Sequence, residues 1–235
     1  MAAAPAVGAA HVPSALLLTL LADARLPSGG HTQSGGLEPA LRAGMRADAV
    51  ADYARARLRT VTAVEAGTAV GARAVAAAGE DPGAEEAAWA ARTPSAALRA
   101  NARRLGRGQL RAARTLWPAA PGDGPDPLAH PDARTWSRPV VLGALAHRAG
   151  LDPWDLGRLV GYDDVQAVVA ALLKLEPADP LETTGTVVAL LPEIAALAAR
   201  VAHLRHPEEI PTGAAPLMER WAEAHAVTTE RLFSA

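Results

Sequence analysis

The stretch DARLPSGGHTQSGGLE, Asp23 to Glu38, has the residue types of a site. It holds four glycines, a proline, a histidine and three small hydroxyl residues, Ser28, Thr32 and Ser34. A phosphate loop of the Walker type needs a lysine and a Ser or Thr directly after its second glycine. Gly30 and Gly35 have the glycine spacing, but Gly36 and Leu37 stand at the other two positions. A nucleophile elbow needs a glycine two residues before the serine and a strand leading into it. Thr32 occupies that position relative to Ser34, and no strand pattern precedes it. His31 and Ser34 make a local His/Ser pair without an identifiable acid to orient it.

Metal chemistry has one candidate. His203 and His206 are three apart, with Glu208 and Glu209 just beyond, which fits either a two-histidine site or the polar end of a helix stopped by Pro207. The carboxylate pairs Glu85-Glu86, Asp163-Asp164 and Glu208-Glu209 are adjacent in sequence. Neighbours on a helix point about 100° apart, so these are solvated faces and not preset acid/base pairs. Between Arg92 and Arg114 there are seven arginines and no acidic residue, and Arg99, Arg103, Arg107 and Arg111 recur every fourth position. Uncompensated like charge weakens a helix. Acidic groups elsewhere in the fold, or an acidic partner, are therefore expected to offset the stripe.

The chain that must position these residues has 235 residues, of which 50% are hydrophobic and only 3% aromatic. Much of the apolar share is alanine, the best helix former, and strand formers other than valine are scarce. A net charge of −2 argues against a general nucleic-acid binder. Lys174 is the only lysine. The absence of cysteine excludes disulfides and thiolate chemistry and suits a cytoplasmic protein. ALLLTLLADA has the look of a leader's apolar region, but no Lys or Arg precedes it. The most apolar later segment, TVVALLPEIAALAARVAHL, is interrupted by Pro192, Glu193 and Arg200, so no membrane span is expected.

Start and stop signals predict an all-α fold, a single domain of about eight to ten packed helices over residues 13–235, after a disordered tail at 1–12. Ser14 is placed to cap the first helix. Leu37 to Ala43 reads as a short helix, and Asp48 opens a long one running to about Ala78. Others are expected from Glu85 to Ala91, from Thr93-Pro94 to Trp117, near Arg138-Pro139, and from Asp152-Pro153 to Leu175 with a bend at Gly161. Asp179-Pro180 starts the next, which Pro192 should kink or end. The last is expected over Pro216 to Phe233. Residues 118–136, rich in Pro and Gly, read as a flexible exposed loop.

Composition and spacing stop at a helical domain that binds something. The residue order adds more. LLLTLLADARLPSGGHTQSGGLEPALRAGM resembles the N-terminal signature of the UreF family of urease accessory proteins, with Asp23, Pro27, Gly29, Thr32, Gln33, Ser34, Leu37 and Glu38 in step. TPSAALRANARRLGRGQL is similar to the family's central helix, through Arg99 and Leu105-Gly106. RPVVLGALAHRAGL is similar to its Pro-Val-x-x-Gly helix, through Pro139, Val140 and Gly143. HAVTTERLFSA resembles its C-terminal motif, through His225, Arg231, Leu232 and Phe233. Three departures stand out: His31 where the family has an aromatic ring, Ala226 where it has Glu, and EPADPLETTG, which only loosely matches the family's turn.

The resemblance implies a non-catalytic helical protein of urease maturation, and typically a dimer. It would join UreD (also called UreH) and the GTPase UreG in GTP-dependent nickel delivery to apo-urease, with nickel handled by the complex and no cofactor of its own. Expected partner contacts are Pro27, Gly29, Gly30, His31, Thr32, Gln33 and Ser34 of the loop, Arg99, Arg103 and Arg107 of the stripe, and His225 and Arg231 near the C-terminus. His31, Ser34 and Arg231 are expected beside the UreG-facing or dimer-facing side. A metal-dependent enzyme built on His203 and His206, and an unrelated helical scaffold, remain the alternatives.

Overall fold

The computed structural model describes residues 12–27, 30–119, 124–229 and 232–233. Among them are ten α-helices and no strand. They are α1 (Ser14–Leu21), α2 (Leu37–Arg42), α3 (Val50–Arg59), α4 (Val61–Ala78), α5 (Gly83–Ala91), α6 (Ala96–Leu116), α7 (Arg138–Ala149), α8 (Pro153–Leu175), α9 (Pro180–Val201) and α10 (Pro216–Ala226). Residues 1–11, most of the predicted tail, lie outside the described residues.

Local chemistry sets many of the ends. Ser95, Asp152 and Asp179 each accept a backbone N–H of the first turn they precede, which satisfies a donor that has no partner inside the helix. Pro153 and Pro180 occupy first helical positions, where a missing N–H costs nothing. α4 is the central helix and packs on α7 and α8, while α9 lies along α8. Small residues let these helices approach closely. A Cβ on Gly143 of α7 would sit 2.3 Å from the Ala69 carbonyl of α4, and one on Gly157 of α8 would sit 2.9 Å from Ala198 Cα of α9. The core between them is aliphatic, including Leu142, Leu145, Leu156, Leu159, Leu190 and Leu197, all buried.

Several expected boundaries move. The long helix from Asp48 is two helices, broken at Thr60 (φ −122°, ψ −99°). The Thr60 hydroxyl donates back to the Ala56 carbonyl, and Gly213 packs directly on the Thr60 backbone. Asp48 caps nothing. It lies in a short 3-10 turn and pairs with Arg46 at the surface. Ser14 starts α1, but its hydroxyl donates to Asp155 and Asp152. Ser95, two residues after Thr93, caps α6. Pro192 sits inside α9 without ending it. α10 stops at Ala226, so the chain returns to the body before Phe233, which is buried.

Among the described residues α9 is the one helix long and apolar enough to cross a membrane. Its Val187, Leu190, Ile194 and Leu197 nevertheless face the core. The predicted loop carries its own anchors over 124–136. Leu128, Ala133 and Trp136 are buried, Arg114 donates to the Leu128 carbonyl, and Arg148 pairs with Asp126.

One core residue works against the fold. Glu85 of α5 is 1% exposed, and neither carboxylate oxygen has a hydrogen-bond partner among the described residues. Burial, helped by Asp81, Glu80 and Glu208, raises its pKa above the usual carboxylate value. The folded state therefore holds this proton to higher pH than the unfolded state, and stability falls as pH rises from the unfolded value toward the folded one. Glu85→Met is expected to stabilise the protein at pH 8 by about 1–3 kcal/mol, the cost of an uncompensated buried polar group. Urea titrations should show the gain shrinking toward pH 4, and a gain independent of pH would contradict this account.

Candidate functional site

The glycine loop is held from beneath. After a 3-10 turn at Gly30–Thr32, Gly35 and Gly36 adopt left-handed backbone (φ +57° and +76°). Only glycine takes up this conformation without steric cost, and space also demands it here. A Cβ on Gly35 would lie 2.8 Å from Val168 Cγ2, and one on Gly36 would lie 2.8 Å from the Tyr53 hydroxyl. That hydroxyl donates to the Gly35 carbonyl at 2.7 Å. The tight path turns Ser34 inward, where it is fully buried and its Oγ accepts the Glu38 N–H at 3.4 Å.

Glu38, 1% exposed, holds the C-terminal segment. Its two oxygens accept the consecutive backbone N–H groups of Leu232 (2.9 Å) and Phe233 (2.8 Å). Arg42, one turn on, pairs with the same carboxylate. His225, 2% exposed, donates Nε2–H to the Phe233 carbonyl at 3.2 Å, with the same nitrogen 3.6 Å from Glu38. Lys174 lies over the Phe233 ring at 5.2 Å.

Loop and C-terminal segment border a cleft of about 500 Å³. Its other walls include the N-terminal half of α6, the end of α5, the end of α1 and one side of α8. Ion pairs make its floor. Arg57 Nη2 and Nε reach Asp164 at 2.5 and 2.9 Å, and the Thr62 hydroxyl donates to the same carboxylate at 2.7 Å. Arg138 donates to Asp163 at 2.6 Å and lies 3.8 Å from Glu65. Burial raises the pKa of Glu65 and Asp163 against the opposing pull of Arg138. Each acid of the floor thus faces an arginine, an arrangement that fixes α3, α4, α7 and α8 to one another.

The expected contact residues divide. Gly30 and Gln33 line the cleft, and Gln33 Oε1 accepts Asn101 Nδ2–H at 2.6 Å. Thr32 accepts from Gln33, and Pro27 is exposed. Ser34 and His225 are buried and position backbone. Arg99 donates to the Thr93 and Pro94 carbonyls at the start of α6. Arg103 pairs with Glu86 and lies over the Trp89 ring, while Arg107 is exposed with no partner among the described residues. Gly29, Arg231 and the His31 side chain lie outside the described residues. Glu38 was visible in the sequence as part of a motif, but its role was not. Arg57 carries no local signal. Asp163 and Asp164, read from the sequence as a solvated face, are instead held by Arg138 and Arg57 on the cleft floor, and Glu85 is buried as well, because tertiary packing sets their exposure.

The alternative metal site does not assemble. α9 ends at Val201, so His203 and His206 follow the helix and share no face of it. Glu209 accepts the backbone N–H groups of Arg205 and His206. No three His, Asp or Glu side chains converge among the described residues.

The UreF family profile matches residues 45–191. The urease accessory protein UreF of Mycolicibacterium vanbaalenii is 34% identical over 222 residues, covering 92% of this chain and 97% of the relative. This chain belongs to the UreF family. A second relative of that name, from Mycobacterium sp. (strain JLS), is 34% identical over 226 residues, with the same coverage. That of Mycobacterium tuberculosis is 32% identical over 172 residues, 72% of this chain. As a family member the chain is a urease accessory protein, with the all-α fold described above.

Proposed function

We propose that this protein is the non-catalytic UreF component of urease maturation. In this reading it is a cytoplasmic homodimer that bridges UreD/UreH and the GTPase UreG and regulates GTP-dependent delivery of nickel to apo-urease. The carrying observation is end-to-end similarity to proteins named urease accessory protein UreF. The cleft supports the reading, because the family's loop and C-terminal motifs, far apart in sequence, meet at its rim through Glu38. Nucleotide chemistry is assigned to UreG, and no resident metal or cofactor is proposed for this chain.

The outer side of α9 supports the homodimer. Leu181 (80% exposed), Val188 (60%) and Leu191 (46%) lie uncovered along it. Glu182 and Arg200, nine residues either side of Leu191, have no ion-pair partner among the described residues. Antiparallel pairing with a second copy about Leu191 would bury the apolar row and set each Glu182 against the other copy's Arg200.

Co-expression with UreD/UreH, UreG and the urease subunits of the same organism tests the whole reading. Active, nickel-loaded urease is expected only when this chain is present, and light scattering should find two copies of it in the isolated complex. Equal urease activation without it would sink the proposal.

A further inference from the structure

The arginine stripe of α6 is only partly used by the fold. Arg99 and Arg103 are absorbed, by the Thr93 and Pro94 carbonyls and by Glu86 with Trp89. A different row remains outward. Arg104, Arg107 and Arg111 are all exposed, and none has a carboxylate partner among the described residues. At 100° per residue they fall within an arc of about 60°, and at 1.5 Å per residue they span about 10 Å along the helix. Like charges at this spacing weaken the helix that carries them, and the chain as a whole is net negative. Within the described fold nothing offsets the row.

The row is continuous with the glycine loop. Arg104 Nη2–H donates to Asn101 Oδ1 (2.8 Å), Asn101 Nδ2–H to Gln33 Oε1 (2.6 Å), and Gln33 Nε2–H to Thr32 Oγ1 (2.9 Å). Gln33 and Asn101 also line the cleft. Loop, cleft edge and arginine row therefore form one face.

We infer that this face docks an acidic protein surface, best a helix carrying Glu or Asp at every third or fourth position. Such a helix repeats its carboxylates at one-turn intervals, about 5.4 Å, matching the row. The guanidinium fork takes a carboxylate in two parallel bonds, which selects arginine over lysine for this task. Protein is favoured over nucleic acid because α6 carries no aromatic residue on which a base would stack. The identity of the partner, UreG or UreD/UreH, rests on the proposed function, whereas the acidic chemistry does not.

Two probes separate these. The first is an Ala-based helical peptide of about 20 residues with Glu at every third or fourth position, together with its Gln counterpart. The second is purified UreG and UreD/UreH of the same organism. The test variant is Arg104→Gln with Arg107→Gln and Arg111→Gln, and Arg59→Gln, on α3, is the control. Wild type and control should bind the Glu peptide and one accessory protein. Affinity should fall steeply between about 50 and about 500 mM NaCl, because exposed charges are screened. The triple variant should melt like wild type, lose at least about ten-fold in affinity (roughly 1.4 kcal/mol) and show a flattened salt response. Equal binding of the Glu and Gln peptides, or unchanged binding by the triple variant, would overturn the inference, as would duplex DNA competing the Glu peptide away. Binding of the Glu peptide with neither accessory protein bound would leave the acidic docking face standing and sink the functional reading.

Discussion

Arg57→Ala is expected to destabilise the protein by about 3–5 kcal/mol, the usual cost of leaving one member of a buried ion pair alone. Arg57 is 7% exposed and holds Asp164 through both Nε and Nη2. Without it, Asp164 keeps only the Thr62 hydroxyl among the described residues, too little for a carboxylate removed from water. The loss reaches the loop as well, because Arg57 Nε lies 3.5 Å from where a Gly35 side chain would begin. For a chain of this size the melting temperature should fall by roughly 6–20 °C. Arg57→Met combined with Asp164→Leu should recover most of it, since apolar replacement of a whole buried pair is often close to neutral. Urea denaturation of both variants decides. A loss under about 1 kcal/mol for Arg57→Ala would mean that water already solvates the pair.

What the sequence made legible follows the range of each interaction. Asp152-Pro153 and Asp179-Pro180 announce helix starts because cap and first turn are neighbours in the chain. The break at Thr60 is invisible in the sequence because Gly213, which packs on its backbone, lies more than 150 residues away. Recurrence at every fourth residue revealed the arginine stripe, but its division into paired and outward members depends on Glu86 and Trp89 of another helix. Motif resemblance singled out Ser34 and His225 as partner-contact residues, whereas the structure buries both side chains. Short polar side chains near glycines read as presented groups until the Gly35-Gly36 path and the buried Phe233 turn them inward. Arg57 and Asp164, 107 residues apart, leave no periodic trace at all.

Glu38→Ala is expected to free the C-terminal segment while leaving the helical body folded. Two hydrogen bonds to a buried carboxylate hold consecutive amides at 2.8 and 2.9 Å, and bonds to charged groups are worth about 1.5–3 kcal/mol each. Loss of both exceeds what His225 supplies through its single bond to the Phe233 carbonyl. Protection of the Leu232 and Phe233 amides against hydrogen exchange should drop by at least about a hundred-fold, the equivalent of roughly 2.8 kcal/mol. The core helices α4, α7 and α8 should keep theirs. Glu38→Gln is expected to fall between, because its amide oxygen still accepts one N–H while its amino group opposes the other. The decisive comparison uses a chain ending at Arg231. There Glu38→Ala should lower stability much less than it does in the full chain, because the amides it binds are already gone. If Glu38→Ala costs the same in both backgrounds, Glu38 acts on α2 alone and does not clasp the C-terminal segment. If UreG recruitment depends on Arg231, which immediately precedes the clasped residues, Glu38→Ala should weaken it as Arg231→Ala does, without removing any side chain that touches the partner.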